Sequence, residues 1–188
     1  MTNVFFMETQ FDFLAVQVIV FVQPPAPLDG AALREALGAV HATPVARRIL
    51  ALGRVGDEWL PNGFDLIGQR GGAYGERIAA VLADAHATAT LPMLLIRPDA
   101  AGITPDMLED AARSLISGEA DAAFGPASDG GFWLLGLRRP DRSLVVGIPG
   151  PDEGGAPGRL LLDRLASAGF RVALAPRLEI AGTPALRG

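Results

Sequence analysis

The chain has 188 residues, enough for one domain with a sizeable core and too few for two ordinary ones, so residues 1–188 are read as a single domain. Its formal net charge of −5 offers no broad basic surface for a phosphate backbone, which argues against a nucleic-acid partner. The absence of cysteine removes disulfides, thiolate metal sites and thiol nucleophiles together, and two distant histidines, His41 and His86, make a histidine zinc site unattractive.

A hydrophobic share of 49% built on Ala, Val and Leu is what a sheet buried on both faces requires. The run Phe13 to Val22 is the strongest such segment. It is interrupted by Gln17 and stopped by Gln23-Pro-Pro25, well short of the roughly 20 residues of a membrane span, so it reads as the first, central strand. Residues 1–12 read as a frayed tail or an edge strand. They carry Glu8 and Asp12, with no basic region or small-residue cleavage site, which speaks against a signal peptide and for a cytoplasmic protein.

Asp29 is positioned to cap a helix over 31–40, where Leu33, Leu37 and Val40 recur at helical spacing. Val45 to Leu52 follows as a strand despite its Arg47-Arg48 pair, and Phe64 to Gly68 as a short one. The loop Gln69-Arg-Gly-Gly72 leads into a helix over 74–87 whose Ile78, Val81, Leu82 and Ala85 share a face. Leu91 to Ile96 is a strand, and Thr104-Pro105 opens the next helix, striped by Met107, Leu108, Ala111, Leu115 and Ile116. Strands over 121–124 and 132–137 flank a glycine-rich turn. A helix over 160–168 and a strand over 171–175 complete the pattern, with 147–158 taken as a mobile loop near a site mouth. Strands alternating with helices demand crossovers, so the sheet is expected to be mostly parallel.

In an open parallel sheet ligands bind beyond the carboxyl ends of the strands, which directs attention to the segments after Val22, Gly68, Ile96 and Phe124. After Ile96, Asp99 stands at a strand end before a helix, where a carboxylate holds a divalent metal against a diphosphate or, alternatively, only shapes a solvated turn. After Phe124 comes Gly125-Pro-Ala-Ser-Asp-Gly-Gly131, whose glycines let backbone N–H groups approach a ligand while Asp129 offers a carboxylate to hydroxyls or metal; on its own, Asp-Gly-Gly is also simply a good turn. Gln69 to Arg77 leads from strand to helix, so that Gln69 can read a base edge while Arg70, Gly71, Gly72 and Gly75 face phosphate or ribose, or else form an ordinary flexible turn. Trp59, Phe132 and Trp133 read as core or rim packing, and His41 and His86 as surface residues.

The order of these segments resembles the bacterial glycosyltransferase-like family associated with radical-SAM and selenodomain proteins, over roughly residues 18–184. The shared features are Gln69-Arg-Gly-Gly-Ala-Tyr-Gly-Glu-Arg77, a strand ending near Asp99, and Gly125-Pro-Ala-Ser-Asp-Gly-Gly-Phe-Trp133. The resemblance implies a GT-A-like, Rossmann-related three-layer α/β/α fold of the nucleotide-diphospho-sugar transferase type. It also implies a nucleotide or nucleotide-sugar ligand near Pro24, Pro25 and the 69–75 loop, a small-molecule acceptor near Gly125, Asp129, Gly130 and Gly131, and Mg²⁺ or Mn²⁺ on Asp99, with Asp99 and Asp129 as the catalytic carboxylates.

This sequence departs from the family in three places. The Lys-Thr-Arg element after the first strand is absent, Arg97-Pro98 replaces small residues before Asp99, and the usual Asp-x-Asp-Thr-Pro near the C-terminus is Ile180-Ala-Gly-Thr-Pro184. All three losses concern charge, which transfer from a nucleotide donor needs stabilised. Two further readings therefore stand beside the transferase: a catalytically degenerate binding protein on the same fold, and a guanylyltransferase-like enzyme acting on a small phosphorylated acid.

Overall fold

Strand β1 (Leu14–Phe21) lies inside the sheet, as its apolar sequence requires. The structure is a computed structural model and describes residues 13–23, 30–53 and 60–181. The tail before Phe13, Pro24, Pro25, Asp29 and Trp59 lie outside the described residues.

Helix α1 (Ala31–Ala42) leads to β2 (Val45–Leu52) and β3 (Asp65–Gly68). Helix α2 (Tyr74–Thr88), β4 (Met93–Ile96) and α3 (Pro105–Ser117) follow. The hairpin of β5 (Ala122–Pro126) and β6 (Phe132–Leu137), then α4 (Arg142–Val145), α5 (Pro157–Ser167) and β7 (Val172–Leu174) complete the order. The seven strands form one sheet in the order β3-β2-β1-β4-β6-β5-β7. Only β6 runs against its neighbours β4 and β5; the other pairings are parallel, as expected.

Side chains alternate between the two faces of a strand, and here both faces are covered. Val16, Val18, Val20 and Val22 pack with Leu33, Leu37 and Val40 of α1 and Leu108 and Leu115 of α3. Ile19 and Phe21 face Ile78 and Leu82 of α2, Leu144 and Val145 of α4, and Leu161 and Leu165 of α5. The result is the three-layer α/β/α arrangement that the family resemblance implies.

The polar residues of β1 and β2 inside this frame are held by hydrogen bonds to backbone and to one another. Gln17 is fully buried in β1, and its amide donates to Ala89 O at 3.0 Å while its oxygen accepts from Arg47 Nη1 at 3.2 Å. Arg48 donates to Val40 O at 3.0 Å and Thr43 O at 2.8 Å, closing the carbonyl end of α1 where a cation is electrostatically favoured. The arginine pair that looks foreign to a strand is thus what ties β2 to two helices.

Thr104 caps α3 by accepting from Met107 N at 3.3 Å, with Pro105 at the first helical position, as the sequence predicts. Four details differ from the sequence reading. The residue before α1 is Gly30, with no side-chain cap. Ile116 points to solvent at 40% exposure, and Ala112 takes its place in the stripe. Asp141 caps the unforeseen α4 by accepting from Ser143 N at 2.9 Å. The stretch 147–158, expected as loop, contains a 3₁₀ turn at Pro151–Glu153 and the start of α5.

Candidate functional site

Because β1 to β5 are mutually parallel, the ends of β1, β3, β4 and β5 fall on one edge of the sheet. There the segment following β4 meets the β5–β6 turn. Arg97 N continues the ladder by donating to Trp133 O at 2.8 Å, which carries the Arg97 side chain inward until it is only 3% exposed. A guanidinium cannot lose its charge to suit such a place, so it must find carboxylates. It finds both candidates: Nε and Nη2 reach the two oxygens of Asp99 at 3.1 and 2.7 Å, and Nη1 reaches Asp129 Oδ2 at 2.9 Å. The remaining oxygen of Asp129 accepts from Gly131 N at 2.9 Å.

The turn holding Asp129 is fixed by its glycines. Gly130 adopts φ +83°, a left-handed conformation that side chains disfavour. A Cβ on Gly131 would lie 3.0 Å from both Arg97 Nη1 and Asp129 Oδ1, so the missing side chain is the room the ion triad occupies. Gly125 serves packing instead: a Cβ there would sit 2.5 Å from the ring of Trp133, which is fully buried and donates its indole N–H to Pro176 O at 2.8 Å. Phe132 and Trp133 are core residues, as expected.

On the α2 side, Gln69 donates its amide to Val22 O at 2.7 Å and Ala51 O at 2.9 Å and accepts from Arg77 Nη1 at 3.2 Å. It thereby ties together the ends of β1 and β2. Arg70 pairs with Asp84 on the surface, and Gly71 and Gly72 are exposed at the loop tip. Gly75 is buried, and a Cβ on it would come within 2.0 Å of Val145 O, so its smallness lets α2 dock on α4.

Between these two halves stands Tyr74, at the first position of α2 and 3% exposed. Its ring meets Phe21 edge-on at 6.0 Å and Phe132 at 6.4 Å, while the Arg77 guanidinium lies over the Phe21 ring at 5.8 Å. An aromatic floor therefore connects the Gln69 side to the triad.

Burial drives the Tyr74 phenol well above its ordinary pKa. Arg97 pulls it back, and the carboxylates of Asp99 and Asp129 push it further up. For Arg97, burial opposes the charge, but the hydrogen bonds and charge of Asp99, helped by Tyr74 and Asp129, outweigh it and hold the guanidinium above its usual value. Tyr74 is the chain's single tyrosine, which makes the first of these shifts directly observable. Ultraviolet absorbance of the folded protein should show no tyrosinate step near the ordinary value of about 10, ionisation appearing only with unfolding. A group raised in the folded state stabilises fully below its unfolded pKa, so stability should decline as pH rises past about 10. A reversible step at about 10 in the folded protein would mean that Tyr74 is solvated.

Asp99 and Asp129, expected far apart in sequence to serve one site, are thus brought together with Gly130 and Gly131. Gln69 lies across the aromatic floor from them, Arg70, Gly71 and Gly72 form a rim, and Gly75 and Gly125 are spent on packing. Tyr74 and Arg77 are the site residues that reading the strand ends for carboxylates and glycines passes over, and Arg97, which the sequence offers to an anionic ligand in place of metal, turns out to be paired with the two carboxylates instead. The signal for Arg97 is an arginine immediately after the apolar run of β4 with an aspartate two residues on; for Tyr74 it is an aromatic residue set among glycines at a helix start.

The donor set does not fit a divalent ion on Asp99. All four oxygens of Asp99 and Asp129 are hydrogen-bonded, three of them by a guanidinium. Among the described residues no three His, Cys, Asp or Glu side chains cluster as a metal site would need. Nor is any helix of the described residues long and apolar enough to cross a membrane.

No curated protein matches the chain. Among solved structures it is similar to a candidate nucleotide-diphospho-sugar transferase from Desulfovibrio desulfuricans G20, at TM-score 0.76 and 18% identity over 90% of this chain and 83% of that one. A CMP:2-keto-3-deoxy-manno-octonic acid synthetase complexed with CTP gives 0.56 and 14%, over 89% and 90%. A mannosyltransferase from Pyrobaculum calidifontis, in complex with GDP-Man and Mn²⁺, gives 0.57 and 17%, over 92% and 58%. These likenesses establish the fold of nucleotide-diphospho-sugar transferases and nucleotidyltransferases, as the resemblance implies. The family model described as "Uncharacterized protein conserved in bacteria (DUF2064)" matches residues 33–149, from α1 through the hairpin that carries Asp129 to the loop after α4, and the chain belongs to that family.

Proposed function

We propose that the protein binds a nucleotide or nucleotide-sugar at the carboxyl edge of the sheet, with the base and ribose toward Gln69, the phosphates toward Arg77 and the sugar or acceptor toward Asp99, Asp129, Gly130 and Gly131. The observation that carries this reading is the convergence of Asp99 and Asp129 at the strand ends of β4 and β5, across an aromatic floor from Gln69, on a fold whose solved relatives hold CTP and GDP-Man. Asp99 is 43% exposed, so its outer lone pairs face a ligand's hydroxyls, whereas Asp129 at 15% is held as part of the wall. A small-molecule acceptor and the association with radical-SAM and selenodomain proteins belong to the same reading and rest on the motifs at 69–77 and 125–133, while a cytoplasmic location rests on the lack of a signal-peptide pattern near the start of the sequence. The Mn²⁺ that accompanies GDP-Man in the Pyrobaculum enzyme is not carried over, because Arg97 stands between the carboxylates.

A second reading, a binding protein that no longer turns over, is favoured by that same arginine, which stands where a dication would stabilise a leaving diphosphate, and by the missing Lys-Thr-Arg element, which takes cationic side chains away.

A thermal-shift panel of nucleoside diphosphates, triphosphates and nucleotide-sugars tests the binding itself. A ligand at a hundred times its dissociation constant should stabilise wild type by about 2.7 kcal/mol, and Asp99→Asn should lose most of that shift. Release of pyrophosphate or of a nucleoside diphosphate in the presence of an acceptor separates a working transferase from a binding protein. No shift with any nucleotide would sink the proposal.

A further inference from the structure

The divalent ion that the donor set does not accommodate has a substitute in this chain. We infer that the Arg97 guanidinium occupies the cation position of the site, so that whatever ligand the site takes is bound without a metal. This rests on the reading of the carboxyl edge of the sheet as the ligand site.

The geometry is that of a built-in cation. The planar fork of Arg97 gives two roughly parallel N–H bonds to Asp99, at 3.1 and 2.7 Å, and a third at 2.9 Å to Asp129, so one cation spans both carboxylates as a bridging metal would. Its position is not left to chance: the side chain is 3% exposed, its backbone N–H is held by Trp133 O at 2.8 Å, and the absent Cβ of Gly131 leaves the space that Nη1 fills.

Charge completes the argument. One guanidinium between two carboxylates leaves the cluster one unit negative, and a dication added at contact distance would be repelled by Arg97 and would find no third carboxylate or histidine clustered there among the described residues. A net-negative cluster with outward-facing carboxylate lone pairs suits hydroxyl donors, such as those of a sugar. Diphosphate charge is better met across the floor by Arg77, whose guanidinium has Gln69 as its one hydrogen-bond partner among the described residues and an aromatic ring beneath it.

The test uses metal-free full-length protein with Mn²⁺ alone as the probe, followed by electron spin resonance of the free ion, on wild type, Arg97→Ser and Arg97→Lys. Wild type and Arg97→Lys, which both keep a positive charge, should leave the free-ion signal unchanged. Arg97→Ser, which bares two adjacent carboxylates, should bind Mn²⁺ at least about tenfold more tightly and gain Mn²⁺-dependent thermal stability.

Mn²⁺ binding by wild type or by Arg97→Lys would overturn the inference, as would a folded Arg97→Ser with no gain. Should Arg97→Ser fail to fold even with Mn²⁺ present, the wild-type and Arg97→Lys titrations decide the matter between them. CDP and GDP, titrated with EDTA and then with Mn²⁺, give the second readout: equal affinity supports the inference, and an affinity at least about tenfold higher with Mn²⁺ overturns it. Failure of both nucleotides to bind counts against the nucleotide reading alone, and the Mn²⁺ titration of the free protein still decides the cation.

Discussion

Replacing Arg97 with methionine should lower the unfolding free energy by about 3–5 kcal/mol, although the new side chain fills much the same space. The cause is not a lost contact but the carboxylates left behind. Asp129 is 15% exposed and Asp99 43%, so the first would remain largely desolvated without a counter-charge while the second could turn to water. That difference places the expected loss toward the lower end of the range and assigns most of it to Asp129. Adding Asp129→Asn to Arg97→Met should accordingly recover more stability than adding Asp99→Asn, because a neutral amide removes the unpaired charge where it is most buried. Urea denaturation followed by circular dichroism measures all four proteins, with an unchanged slope as the sign that only stability has moved. A shift in Tm of roughly 10 °C corresponds to the expected loss for a chain of this size. If Arg97→Met unfolds within about 1 kcal/mol of wild type, the triad is solvated and its role as a fixed internal cation fails with it.

Arg97 also shows where sequence reading stops. The elements of the fold follow from local pattern: the apolar run of β1 is what makes it an interior strand, the spacing of Ile78, Val81, Leu82 and Ala85 gives α2 its buried face, and Thr104-Pro105 marks the start of α3 to the residue. What local pattern does not carry is the partner of a buried polar group, because that partner is set by topology. The Arg47-Arg48 pair weakens β2 as a strand until α1 and α2 are in place to receive its hydrogen bonds. Gln17 interrupts an apolar run until Ala89 O is beside it. In the same way Asp99 and Asp129 are legible separately as strand-end carboxylates, but their shared arginine emerges only when β6 returns between β4 and β5 and brings the two loops together. The glycines mislead for a related reason. Gly75 and Gly125 look like ligand-facing loop residues because a glycine admits any close neighbour, and here the neighbours are Val145 O and the Trp133 ring.

The same ambiguity makes two glycine-to-alanine substitutions an informative pair. Both Gly38, in α1, and Gly158, near the start of α5, lie in helices at negative φ, so helix propensity alone favours alanine at each by up to about 1 kcal/mol. A Cβ at Gly38 meets nothing within 4 Å, and Gly38→Ala should therefore stabilise the protein by roughly that amount. At Gly158 a Cβ would stand 2.4 Å from Gly131 O and 3.0 Å from Gly130 O, while the Gly158 N–H donates to Gly130 O at 3.0 Å. The obstacle is backbone on a tight turn, which cannot rotate aside as a side chain would. Either α5 withdraws, lifting its Leu161 and Leu165 from the core, or the 129–131 turn shifts, and overpacking of this kind outweighs the propensity gain, for a net loss of about 2–3 kcal/mol. Because Asp129 rides on that turn, Gly158→Ala should also weaken nucleotide binding, whereas Gly38→Ala should leave it unchanged. Parallel urea titrations and thermal-shift measurements of the two variants separate these effects. If both alanines stabilise equally, the contact between α5 and the glycine turn is loose, and the ion triad does not owe its position to α5.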